Sequence, residues 1–161
     1  MKNITKGDQL MLFVAGKSIA YATAHTLTLT TNTTDIASKD HGIYGAKDVS
    51  TITWEITTEN LFAEADYATL VDSMLAGQLV DVVFANAATW VKTGIDNTAK
   101  TWTPDTKGTQ LSGKALITSL TANANTGENA TFSATFTGVG AITKAGTVAT
   151  QSLSDSGKAV K

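Results

Sequence analysis

Residues 113–140 read GKALITSLTANANTGENATFSATFTGVG, and this stretch decides the fold class. Leu116, Thr118 and Leu120 alternate with Ala115, Ile117 and Ser119. Further along, Phe132, Ala134 and Phe136 alternate with Thr131, Ser133, Thr135 and Thr137. A period of two predicts strands with one dry face and one wet face. Between the two runs, Asn125-Thr126-Gly127-Glu128 is turn chemistry, because Gly accepts positive φ and Asn bonds back to its own backbone. The stretch therefore predicts two antiparallel strands joined by a turn.

Moving outward, Thr51–Glu59 repeats the pattern, with Ile52, Trp54 and Ile56 on one face and Thr51, Thr53, Glu55 and Thr57 on the other. Residues 61–76, LFAEADYATLVDSMLA, carry the one helical period. Tyr67, Leu70, Val71, Met74 and Leu75 form its apolar stripe, Asn60 is placed as N-cap and Gly77 as the residue just past the end. Leu79–Phe84 is apolar but for Asp81, which predicts a strand covered on both faces. Near the start, Gln9–Ala15 and Ser18–Ala22 read as a hairpin about Gly16-Lys17, and Ala24–Thr31 as a further strand. His25 shares the parity of Leu27 and Leu29, so its ring is expected at the rim of the core. Residues 32–50 show no usable period and read as a long loop, a feature more often functional than idle. Residues 86–113 read as a partly ordered excursion, 141–148 as a short last strand, and 149–161 as a flexible C-terminal arm. The expected architecture is mainly β, a sandwich or barrel of antiparallel strands with one packed helix, in a single domain spanning 1–148.

Composition narrows the function. The chain has 161 residues, enough for one domain with a sizeable core. Charged residues are only 16%, and threonine, suited to strands and to wet faces, fills the gap. The formal net charge is −2, and all 12 basic residues are lysine. Without arginine or a basic cluster, the chain lacks the means for sequence-specific DNA reading. There is no cysteine, hence no disulfide framework or thiolate chemistry. The apolar run Leu10–Ala15 is a strand's length rather than a signal sequence, and no stretch approaches the roughly 18 apolar residues of a membrane-crossing helix.

Chemistry-bearing patterns resolve into bland ones. His25 and His41 lack metal-ligand spacing, and Ser38-Lys39-Asp40-His41 comes without a nucleophile elbow. Gly138-Val139-Gly140 opens no helix, so it reads as glycines at a strand end rather than a phosphate loop. Asp35, Asp40 and Asp48 lack the order of a calcium loop. Trp54 belongs with Ile52 and Ile56 in a core, while Trp90 and Trp102 stay open as a possible sugar platform. No enzyme and no cofactor is expected. From the residues alone, the chain is a soluble β protein without a visible active site.

The order of features adds a resemblance. KGDQLMLFVAGKSIAYATAHTLTLT is followed by DIASKDHGIYGAKDVSTITWEITTENL, the helix, and GKALITSLTANANTGENATFSATFTGVGAIT. In that order they resemble the major tail protein (tail tube) family of long-tailed bacteriophages, typified by lactococcal phage tail proteins. The resemblance implies a structural virion protein, assembled in the host bacterial cytoplasm into hexameric rings that stack into a tube for DNA ejection. It implies strands of neighbouring subunits joining round a lumen, with the long loop reaching the adjoining ring. The contact loop would comprise Asp35, Ser38, Lys39, Asp40, His41, Tyr44, Lys47 and Asp48. The lumen face would be Thr131, Ser133, Thr135 and Thr137, or Thr53 and Glu55. Since these faces carry little acid, a negative lumen would draw on Asp and Glu in turns. Implied partners are further copies, the tape measure, terminator and tail-tip proteins, and double-stranded DNA in passage, with no membrane anchor. The alternative is a carbohydrate-binding β-sandwich or adhesin, which needs Trp90 and Trp102 exposed on one flat face.

Overall fold

The computed structural model describes residues 4–19, 21–36, 39, 40, 42, 44–88 and 102–145. The expected C-terminal arm, 149–161, lies outside them, as do Ser38, His41 and Trp90. Seven strands, β1 (Leu10–Val14), β2 (Lys17–Ser18), β3 (Ala22–Ile36), β4 (Ala46–Leu61), β5 (Val80–Asn86), β6 (Gln110–Asn123) and β7 (Thr131–Ala145), form one sheet. Its order is β2-β1-β5-β6-β7-β4-β3, antiparallel at every pairing. Helix α1 (Glu64–Leu75) connects β4 to β5.

The fold is built around the β6–β7 hairpin. Phe132, Ala134 and Phe136 of β7 are buried, and Ala115 and Ile117 of β6 join them. Leu12 and Val82 from one wing of the sheet meet Trp54 and Ile56 from the other in the same cluster, so the sheet curls round one core. Leu70 of α1 closes it, with Tyr67 stacked edge-on to Phe132 at 5.6 Å between ring centres. A second cluster of Phe13, Ala85 and Ala87, with Trp102 packed on it, covers the opposite face of β1 and β5. β5 is thus covered on both faces, as its continuous apolar run implied.

Several local readings are corrected. The alternation on β6 does not run through: a register shift between Ile117 and Ser119 puts Leu120 opposite Ala134, on the core side, and Ser119 opposite Thr135. The extra residue, Thr118, resets the parity, as a bulge must. The first hairpin turns on Ala15-Gly16, both at positive φ (51° and 82°), the primed turn that a two-residue loop favours. Asn60 is not a helix cap but a buried member of β4, donating to the Thr58 hydroxyl at 2.9 Å. β4 continues to Leu61, and the N-cap is Ala63, without a side-chain bond. At the other end Gly77, at φ +63°, does follow the cap: its N–H reaches the Met74 carbonyl and that of Gln78 the Ser73 carbonyl, a Schellman closure. Leu75, placed on the apolar stripe, is exposed. The segment 141–145 is not a separate strand but the end of β7.

The largest correction concerns 32–50. Most of this span is strand, with β3 running to Ile36 and β4 starting at Ala46, so the connection is only 37–45. A register shift between Asn32 and Thr33 leaves Ser50 unpaired and breaks the phase that a period search needs. β4 pairs with β7 only from Glu55 to Leu61. Beyond that, β3 and β4 pair with each other alone, as a two-stranded arm that leaves the body.

Candidate functional site

Cross-strand partners in an antiparallel sheet share a face, so register assigns each side chain to one side. Glu55 lies opposite Thr137 and Thr28, Thr57 opposite Thr135 and Thr26, and Glu59 opposite Ser133. Thr53 lies opposite Thr30. Ser133 and Thr131 in turn face Thr121 and Asn123 of β6. The two sets that the sequence offered as alternatives, Thr53 with Glu55 and Thr131, Ser133, Thr135 with Thr137, therefore lie on one continuous face. The face is largely hydroxyl: Thr118 bonds the Thr137 hydroxyl at 2.9 Å. Its carboxylates are Glu55, Glu59 and, opposite Thr34 on the arm, Asp48, and its run on β3, β4, β7 and the end of β6 has no lysine. The next lysine along, Lys114, is paired with Asp81 at 2.9 Å.

The opposite face holds the body together where the arm departs. The Trp54 indole lies flat against backbone: a Cβ on Gly138 would come within 2.1 Å of it and one on Gly113 within 2.6 Å. Its Nε1 donates to the Gly140 carbonyl at 3.0 Å, and Gly140 has φ +77°. Gly138 and Gly140 are thus not strand-end glycines but mid-strand ones, the first lying under the indole and the second accepting its N–H. The sequence held the signal only as two glycines in an otherwise β-rich run. Nothing in spacing links them to a residue more than eighty positions earlier.

On the arm, the charged residues expected in the contact loop separate. Asp35 and Lys47 form an ion pair across the two strands, Asp48 caps the Val49 N–H at 2.8 Å, and Tyr44 is 82% exposed near the tip with Lys39 and Asp40. His25 sits near the start of β3 with its Nδ1 buried and unpartnered, beside a cleft between β1 and β3 lined by Asp8, Met11 and Thr23. Burial lowers its pKa to about 4. Trp102 rests on Phe13, Ala85 and Ala87 while its backbone N–H donates to the Ser18 hydroxyl at 2.9 Å, so it is not a free platform for a sugar ring.

Among the described residues the sheet ends on the two-residue β2 at one side and on β3 at the other, and β6 is open as well. β3 pairs with β4 alone, and β6 has no strand on its outer side from Leu116 to Asn123, because β5 ends its pairing at Ala115.

Residues 8–144 match the family model described as phage tail tube protein. The chain belongs to the phage tail tube protein family. It is thus a structural component of a virion tail, and the expectation drawn from the order of its motifs holds. No curated protein matches the chain. Solved structures do. A chain of the virion of a native gene transfer agent particle is 15% identical, with TM-score 0.62 over 88% of this chain and 98% of that one. A chain in the C6-symmetric tail of an empty gene transfer agent particle is 15% identical, with TM-score 0.64 over 87% and 98%. The SPP1 tail tube is 10% identical, with TM-score 0.63 over 88% of this chain and 78% of that one. At such identities the likeness is one of fold.

Proposed function

We propose that the chain forms hexameric rings that stack into a tail tube, with the threonine face of β3, β4, β7 and β6 turned to the lumen and double-stranded DNA passing along it. One observation carries this: register gathers Thr53, Glu55, Thr131, Ser133, Thr135 and Thr137 onto a single lysine-free face. Phosphates bind proteins chiefly through released counterions at Lys and Arg. A wall of hydroxyls with scattered carboxylates gives DNA water to slide on and nothing to hold. The uncovered edges of β3 and β6 supply the joints, since edge strands pair readily and a closed ring removes them. The C6 symmetry of the similar gene transfer agent tail supplies the ring number. The arm, with Asp35, Lys39, Asp40, Tyr44, Lys47 and Asp48 toward its tip, reaches the adjoining ring, and Ser38 and His41 belong to the same contact set by sequence. Assembly takes place in the host bacterial cytoplasm, where tape measure, terminator and tail-tip proteins set length and ends.

Negative-stain electron microscopy of the purified protein across a concentration series tests the reading, with light scattering on the same samples. Hollow rings or tubes are expected. A strict monomer at every concentration, also in the presence of tail-tip complexes, would overturn it.

A further inference from the structure

Among the described residues, six of the twelve exposed large apolar side chains fall into two groups, the others being Ile4, Tyr21, Ile36, Tyr44, Phe62 and Val139. On the arm stem, Leu29, Val49 and Ile52 are exposed to 50%, 54% and 60%. Register puts all three on one face: Leu29 and Thr31 alternate with the threonines, Ile52 lies opposite Thr31, and the shift at Ser50 brings Val49 opposite Thr33. At the end of α1, Met74, Leu75 and Leu79 are exposed to 38%, 81% and 47%.

We propose that the apolar face of the arm stem packs against the helix-end patch of a second copy of this chain. The proposal rests on the tube reading above and names the surfaces through which copies meet. Four observations lead to it. A two-stranded ribbon without a third strand or a packed layer is marginal in water, so the arm is built to be covered. Its two faces differ: one continues the threonine face through Thr28, Thr30, Asn32, Thr34, Thr51 and Thr53, while the other continues the core face with apolar side chains. Within a single chain both patches stay exposed, so neither covers the other. Finally, the wall of a tube is made of repeated copies, and two different patches in contact make a heterologous joint, which repeats, whereas a self-paired patch would stop at a dimer. The charged tip contributes less: Asp35 and Lys47 are 77% and 63% exposed, where ion pairs are screened.

The chain has no cysteine, so a disulfide trap is clean. The double variant Ile52→Cys, Leu75→Cys, oxidised under assembly conditions, is expected to give a covalent ladder on a non-reducing gel, and each single variant is not. The triple variant Leu29→Thr, Val49→Thr, Ile52→Thr keeps β-branched residues on the ribbon, and should raise the concentration for half-assembly about ten-fold or more. Asp35→Asn with Lys47→Gln should shift it little. Leu75→Ser with Leu79→Thr, on a different element, should reproduce the stem effect and covers the case in which the arm variant fails to fold by circular dichroism. Assembly of folded stem and helix-end variants at the wild-type concentration overturns the proposal, and so do double-cysteine tubes without intermolecular disulfides. Both leave the tube reading standing. Wild-type protein that never assembles overturns the tube reading, and this contact with it.

Discussion

At the scale of single residues, Trp54 and the glycines beneath it decide how the body is closed. Gly138→Ala places a methyl group inside the van der Waals envelope of the indole. We expect a loss of about 1–3 kcal/mol or more, as for other overpacked sites, read as a lowered urea midpoint. Gly7→Ala, which meets nothing within 4 Å, should leave the midpoint in place. His25 gives a pH dependence of definite sign. Burial holds its folded pKa at about 4, below the ordinary imidazole value of 6.5, so the unfolded chain takes up the proton first. Stability contributed by the neutral ring is complete above about 6.5 and is lost as pH falls toward 4. The slope between these limits should flatten in His25→Gln, by on the order of 2 kcal/mol across the window, measured by urea unfolding at several pH values. These residue-level features were only partly legible. The parity of His25 with Leu27 placed it at the core rim. No pattern in the chain announces that Trp54 will lie across Gly113 and Gly138, because the contact joins three segments and depends on how the strands diverge.

At the scale of elements, strands with a core under them were readable and strands without one were not. Phe132, Ala134 and Phe136 alternate because one side must be dry. The stem of the arm has no such requirement within the chain, and its unpaired Ser50 shifts the phase, so 32–50 carries no period although most of it is strand. Thr118 does the same inside β6, which is why Leu120 changed sides. Helix α1 was readable in existence and at its C-terminus, through Gly77, but not at its start, since Asn60 is an equally good strand residue once Thr58 accepts its side-chain N–H. Gly77→Ala forces a Cβ into the left-handed region and should cost about 1 kcal/mol, seen as a lower melting temperature. Replacing 31–52 by a tight two-residue turn removes the arm beyond the last pairing with β7. The excised chain should keep its sheet by circular dichroism, with its urea midpoint near that of the wild type, and should lose stacking under the electron microscope.

At the scale of the whole molecule, the face assigned to the lumen is a statement about charge. Six copies of Glu55→Lys would ring the channel with cations where carboxylates stood. Tubes should still form, since position 55 lies away from the core face. They should retain fluorescent double-stranded DNA on sedimentation at low salt and release it as salt rises, whereas wild-type tubes retain none. Retention by wild-type tubes, or none by the variant, would place another face at the lumen. The candidate lumen residues were legible as strand faces and not as one surface, because parity within a strand says nothing of its neighbours. That step needed the register between β4 and β7.

The early departure of β4 from β7 has a consequence for how such a protein can change over generations. Because β4 has no strand but β3 beside it beyond Glu55, and the Trp54 indole is its last anchor in the core, rungs can be gained or lost outward of Trp54 without disturbing the body. A single added rung would swap the outer portion of the ribbon side for side, whereas two leave every side chain facing as before and move the tip by about 6.8 Å. Reach is therefore expected to vary in paired steps, since an odd one would turn the apolar and threonine faces of the outer ribbon about.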